Sequence, residues 1–113
     1  MTIKGFDLVE HLARQWAFSL CAFGPGDRLP GNLAHIRKEL AEIEADPADI
    51  MEWADLILLA FDSALRQGFE PADIVAAVAV KQAINERRLW PDWREVPEGT
   101  PIEHIKDSSH VVP

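Results

Sequence analysis

The sequence predicts an all-α fold, a four-helix bundle completed by oligomerisation and followed by an extended C-terminal tail. Three observations carry this. Apolar residues recur at spacings of three and four through most of the chain before Trp90. Prolines and glycines fall in clusters that separate the periodic stretches. The segments "ADPAD" and "FEPAD" share much of one helix-start signal, with an Asp shortly after a Pro.

Taken in order, Phe6 to about Phe23 is the first helix, with Phe6, Val9, Leu12, Ala13 and Trp16 at helical spacing. "FGPGDRLPGN" breaks it, because two prolines and three glycines in ten residues make a loop. A second helix is expected from Gly31 or Asn32 to about Ala45, with Leu33, Ile36, Leu40 and Ile43 as its apolar stripe. "ADPAD" is a sharp junction in which Asp46 suits an N-cap, Pro47 the first helical position and Asp49 the third. The third helix then runs from Pro47 to about Gln67, and Gly68 stops it. The fourth starts at Pro71, with Asp73 at its third position, and runs to about Arg88 before Trp90-Pro91. Residues 1–91 form the expected helical catalytic domain. Residues 92–113 form a tail lying on the domain or on a neighbouring subunit. "IEHIKD" is expected to hold a short helical turn, and "SSHVVP" to be mobile.

A chain of 113 residues is one domain's worth, and its 48% apolar and 27% charged residues are those of a soluble globular protein. The net charge of -8 excludes a non-specific binder of nucleic-acid backbones, which needs a basic surface. It does not exclude a small anionic substrate, since metal ions invert the local sign. Cys21 is the single cysteine, so no internal disulfide forms; it is expected as a buried small side chain in a reducing compartment. The polar N-terminus shows no signal peptide and no apolar run spans a membrane, so a cytoplasmic location is expected, the host's if the chain is phage-encoded. The third helix is apolar nearly all round, from Ile50 and Met51 through Leu56, Ile57, Leu58 and Leu59 to Leu65. Such a helix is buried. A chain this small can barely bury one alone, so a homodimer or larger is expected.

Four carboxylates stand out against that apolar background. Glu39 and Glu42 lie three apart on one helix face, and so do Glu52 and Asp55. If the 46–47 junction folds the two helices into a hairpin, both pairs sit within about two turns of its closed end. Converging carboxylates repel unless cations sit between them, and hard divalent ions, Mg²⁺ or Mn²⁺, suit an all-oxygen set. The plain alternative is a solvated face, since 52, 55, 59 and 62 make one stripe that can point at water. On the fourth helix Lys81, Asn85 and Arg88 share a face, either as a solvated basic surface or as a clamp for phosphates. Acidic metal ligands with a phosphate clamp suit hydrolysis of a nucleoside triphosphate. A GxxxxGK[ST] loop, a His-Asp pair and the Glu-x-x-His of di-iron bundles are all missing. His35, one turn before Glu39, is a plain surface residue, a hydrogen-bonding partner of the site or a ligand. His11, His104 and His110 carry no signal.

"KELAEI" followed by "EWADLI" resembles the ExxE…ExxD signature of the MazG-like all-α nucleoside triphosphate pyrophosphohydrolases. "FGPGDR", "HIRKELAEIEADP", "EWADLILLA", "KQAINERR", "WPDWR" and "IEHIKD" resemble, in order, segments of its dATP/dGTP diphosphohydrolase branch, which includes phage MazZ-type enzymes. The resemblance implies cleavage of dGTP or dATP between the α- and β-phosphates, to a deoxynucleoside monophosphate and pyrophosphate. It implies two or three Mg²⁺ or Mn²⁺ ions on Glu39, Glu42, Glu52 and Asp55, with Glu39 or Glu42 orienting or deprotonating the attacking water. Lys81, Asn85 and Arg88 would meet the phosphates, and Gln15, Trp16, Arg28 and His35 are candidates for the base or sugar. A dimer of dimers is implied, as is a supply of dGMP for 2-aminoadenine nucleotide synthesis in phages with modified DNA. Trp16 and Trp53 are otherwise expected in the core. Trp90 and Trp93 either stack on a base or pin the tail. The rivals are a pyrophosphohydrolase for a pyrimidine or damaged nucleotide, and a non-catalytic helical interaction protein.

Overall fold

The computed structural model describes residues 5–106. Its helices are α1 (Leu8–Phe23), α2 (Leu29–Ala45), α3 (Ile50–Arg66) and α4 (Pro71–Arg87), followed by a 3-10 turn at Trp93–Glu95. The chain divides into two compact units at Ala77 and Val78.

In the first unit the caps set the helix ends. The Asp7 side chain accepts the Glu10 N–H at 3.0 Å, so α1 starts at Leu8 and Phe6 stays outside it. α2 begins at Leu29, earlier than Gly31, because Pro30 falls in the first turn, where no N–H donor is needed. The N-cap of α2 is Arg28, with φ 55, the one non-glycine residue with a positive φ among the described residues. The "ADPAD" junction also differs from expectation. The Asp46 N–H bonds to the Glu42 and Ile43 carbonyls and closes α2. Asp46 is thus spent as a C-cap, Pro47 falls at the second position of a four-residue turn, and the Asp49 N–H donates to Asp46 O at 3.2 Å. Asp49, not Asp46, caps α3, its carboxylate accepting the Met51 N–H at 3.0 Å. α3 ends before Gly68, whose φ of 96 suits the residue past a helix end.

α2 packs against α3, and α1 against α3. Leu12, Leu65 and Ile74 form the buried apolar cluster, with Leu8, Trp16, Phe61, Ala64 and Val75 packed on it. Trp16, partly buried, is therefore packed on the core, as expected of a core tryptophan. Trp53 is not: it is half-exposed, and its indole N–H donates to Pro47 O at 3.0 Å, lashing α3 to the turn before it. Cys21, expected to be buried, is exposed. Within this chain α3 is not covered all round; Ile50 is 72% and Ile57 52% exposed. No helix among the described residues is long and apolar enough to cross a membrane.

A second buried cluster is polar and joins three helices. Asp62 on α3 accepts from Ser19 Oγ of α1 at 2.5 Å, from Asn32 Nδ2 of α2 at 2.9 Å and from Arg66 Nε at 3.0 Å. The Arg66 side chain is 0% exposed. Its Nη1 donates to Gly24 O at 3.0 Å and Gly26 O at 2.8 Å, its Nη2 to Ser19 Oγ at 2.7 Å, and its guanidinium lies 5.5 Å from the Trp16 ring centre. Asp62 therefore does not continue a stripe toward water. Desolvation pushes its pKa up, but donors from Ser19, Asn32 and Arg66, with the Arg66 charge, outweigh that and hold it below the ordinary 3.8.

In the second unit, Trp90 donates its indole N–H to Asn85 O at 2.7 Å and meets His104 edge-on at 5.9 Å. The Ile105 N–H donates to Leu89 O at 2.7 Å in a single antiparallel bridge. "IEHIK" is thus held extended and makes no helical turn; a backbone N–H paired with Leu89 cannot also close a turn. Trp90 pins the tail. Trp93 is exposed, with the Arg94 guanidinium 5.7 Å from its ring centre. Asp107, His110 and the expected mobile end lie outside the described residues.

Candidate metal centre

The α2–α3 hairpin brings Glu39, Glu52 and Asp55 together. One carboxylate oxygen from each lies within 4.8 Å of the other two. Glu39 comes from the third turn of α2, Glu52 and Asp55 from the first two turns of α3. The i, i+3 spacing sets both α3 carboxylates on the face turned to α2.

Burial and charge make this group unstable as it stands. Glu39 is 2% exposed, and its Oε1 is buried with no hydrogen-bond partner. Burial, opposed by a hydrogen bond from Glu52, raises the Glu39 pKa, and a hydrogen bond with Glu42 and then the Glu42 and Asp55 charges raise it further. Glu52 is pushed up to about 7, first by its hydrogen bond with Glu39, then by desolvation, then by Glu42. The directions agree: at neutral pH and below, a proton on Glu52 is shared toward Glu39 and stands where a cation would offset the charge. A buried carboxylate oxygen without a donor, beside two further carboxylates, fits a hard divalent cation. Glu39, Glu52 and Asp55 could hold it.

Glu42 is exposed. It acts on Glu39 and Glu52 by hydrogen bonding and, less, through its charge, but stands outside the group of three. His35, one turn before Glu39, is exposed. Of the other residues singled out for the base or sugar, Gln15 is engaged within the bundle: its amide N–H donates to Leu58 O at 2.8 Å and its oxygen faces His11 Nε2 at 3.0 Å. Trp16 is packed under Arg66, and Arg28 is exposed at the α2 N-cap. In the second unit, Arg88 Nη1 donates to Asn85 Oδ1 at 3.1 Å, and Lys81, one turn earlier, is exposed.

Sequence reasoning missed Ser19, Asn32 and Arg66, and misplaced Asp62. The one readable signal was the i, i+4 spacing of Asp62 and Arg66 on an otherwise apolar helix.

A family model described as dATP/dGTP pyrophosphohydrolase matches residues 9–111. The chain is similar to the Eaa protein of Salmonella phage P22, 42% identical over 68 residues, which cover 60% of this chain and 20% of that protein. It is also similar to a dATP/dGTP diphosphohydrolase of Salmonella phage PMBT28, 41% identical over 83 residues, 72% of this chain and 26% of that one. The chain thus spans a fifth to a quarter of the length of these curated relatives. No solved structure matches.

Proposed function

The chain belongs to the dATP/dGTP pyrophosphohydrolase family, and from that premise we propose that it hydrolyses dGTP and dATP to the deoxynucleoside monophosphate and pyrophosphate. The observation that carries the proposal is the carboxylate group around the unpartnered Glu39 Oε1. Glu39, Glu52 and Asp55 hold divalent cations, Mg²⁺ or Mn²⁺, with Glu42 at the rim. Such cations neutralise phosphate charge and make water more acidic.

The protein side of the chemistry follows from the environment of each carboxylate. The water oxygen attacks the α-phosphorus, its proton passes to a carboxylate, the Pα–O bond breaks and pyrophosphate leaves. Exposure supports Glu42 over Glu39 as the proton acceptor, because Glu39 is buried and committed to the group of three. The phosphates are assigned to Lys81, Asn85 and Arg88, on the strength of their shared helix face and of the resemblance. Exposure favours Arg28 and His35 over the engaged Gln15 and Trp16 for contacts to the base or sugar. A second copy of the chain covers the exposed Ile50, Trp53 and Ile57, which lie on α3 at spacings of three and four, so the working form is a homo-oligomer. In a phage that modifies its adenine, the product dGMP feeds 2-aminoadenine nucleotide synthesis.

The test is to incubate the protein with Mg²⁺ and each deoxynucleoside and ribonucleoside triphosphate, and to resolve the products. Monophosphate and pyrophosphate from dGTP and dATP, stopped by a chelator, are expected. Diphosphate plus orthophosphate would refute the cleavage position. Release from pyrimidine nucleotides alone would refute the substrate assignment, and no product from any of them the enzyme itself.

A further inference from the structure

The polar cluster around Asp62 and the carboxylate group around Glu39 lie on the same α2–α3 interface, at a fixed interval. Asn32 stands seven residues before Glu39 on α2, and Asp62 seven residues after Asp55 on α3. Seven residues are two helical turns, about 10.5 Å, and return to the same face. Asn32 bonds Asp62 across the hairpin at 2.9 Å, and two turns further along Glu39 meets Asp55. We infer that the Asn32–Asp62 bond is a register pin: it positions α2 against α3 so that Glu39, Glu52 and Asp55 converge, and so sets the geometry of the cation site.

Two arguments support this. Apolar packing does not specify how α3 slides or turns against α2. Ile50, Met51, Leu56, Ile57, Leu58 and Leu59 put an apolar side chain on almost every side, and a slipped α3 still buries apolar surface. A slip of one turn moves opposing residues by about 5.4 Å, more than the 4.8 Å within which the carboxylate oxygens lie. A buried polar pair, by contrast, loses its partner on any slip, which is how single polar residues select one register in packed helices. The pin is itself held. Arg66 and Ser19 hold Asp62 in place, and Asn32 also donates to Ser63 Oγ at 3.1 Å. Asn32 and Asp62 touch no part of the carboxylate group, so they act through the positions of Glu39, Glu52 and Asp55.

The inference rests on the cation assignment above, and the experiment separates the two. Mn²⁺ is titrated into the full chain, and free ion is followed by electron paramagnetic resonance, well below the melting temperature of each variant. The wild type is expected to bind. Asn32→Leu is expected to weaken Mn²⁺ binding at least tenfold. Leu12→Ala, in the apolar cluster of α1, is expected to lower the melting temperature but leave Mn²⁺ affinity within twofold of wild type. A quadruple variant, Ser19→Ala, Asn32→Leu, Asp62→Leu and Arg66→Met, replaces the whole polar cluster by apolar side chains; it is expected to melt near the wild type and still bind Mn²⁺ weakly. Wild-type affinity in Asn32→Leu or in the quadruple variant overturns the pin alone. So does an equal loss in Leu12→Ala, or failure of both pin variants to fold. A wild type that binds no Mn²⁺ overturns the cation site and the pin with it.

Discussion

Replacing Arg66 by alanine is expected to cost about 3–5 kcal/mol, and the structure shows where that comes from. The side chain is fully buried and makes bonds to Asp62, Ser19, Gly24 and Gly26. The Gly24 and Gly26 carbonyls lie toward the surface and regain water when Arg66 goes. Asp62 cannot. It keeps Ser19 and Asn32, but its charge is left in the interior without a cation, and breaking a buried pair in this way costs about 3–5 kcal/mol. For a domain of this size each kcal/mol moves the melting temperature by about 4–8 °C, so a drop of at least about 12 °C is expected by circular dichroism. The same assay has two internal controls. Arg66→Met with Asp62→Leu removes both charges and is expected to recover most of the loss. Arg94→Ala breaks the Asp92–Arg94 pair, which has the same chemistry at 2.9 Å but is exposed, and is expected to leave the melting temperature unchanged. Acidification is a third check. The folded pKa of Asp62 is depressed, so its contribution is present above 3.8 and is lost as pH falls through the folded value. The gap between wild type and Arg66→Ala must therefore narrow in strong acid. A drop of only a few degrees at pH 7, or a gap independent of pH, would refute the account of Asp62 as a charge that depends on Arg66.

Other expectations follow from the carboxylates and the exposed face. Glu52→Gln should abolish turnover at pH 8 yet melt no lower than the metal-free wild type, since it removes repulsion; near-full activity would remove Glu52 from the site. Because the folded pKa of Glu52 is raised to about 7 from 4.5, stability is present below 4.5 and is lost as pH rises through 7. The melting temperature of the metal-free chain should therefore fall over that window and level off above it, and a flat profile would contradict the shared proton. Mn²⁺ must displace that proton: titration in weak buffer at pH 6 should release about one proton per site, falling toward none at pH 8.5. Ile57→Glu places a charge on the exposed apolar stripe of α3 and should yield a smaller species than wild type by light scattering after gel filtration; an unchanged mass would put the subunit contact elsewhere.

Glu39, Glu52 and Asp55 were legible because helical spacing and a short turn determine on which face and near which end a residue lies. Both could be read from "KELAEI", "ADPAD" and "EWADLI". The start of α3 was not, because "ADPAD" holds two aspartates of equal capping ability, and only the hydrogen bonds of Asp46 to α2 decide between them. Spacing alone sets Asp62 with the 52, 55, 59 stripe, because it gives a direction along one helix and not the distance to another. Ser19 and Asn32, both on other helices, are what make its burial tolerable. Cys21 was misplaced for a related reason: a small apolar residue fits equally well on either side of α1, and nothing local chooses.

The turn at Asp46–Asp49 has a consequence for how the hairpin tolerates insertion and deletion. If alignment of the helices were set at the turn, a residue added there would shift every facing pair. With the alignment held at the far end, between Asn32 and Asp62, an added glycine after Pro47 bulges into solvent and the carboxylates stay together. A single residue added between Asn32 and Glu39, or between Asp55 and Asp62, rotates one carboxylate set by about 100° relative to the pin. The two-turn intervals on either helix are then the lengths that cannot change.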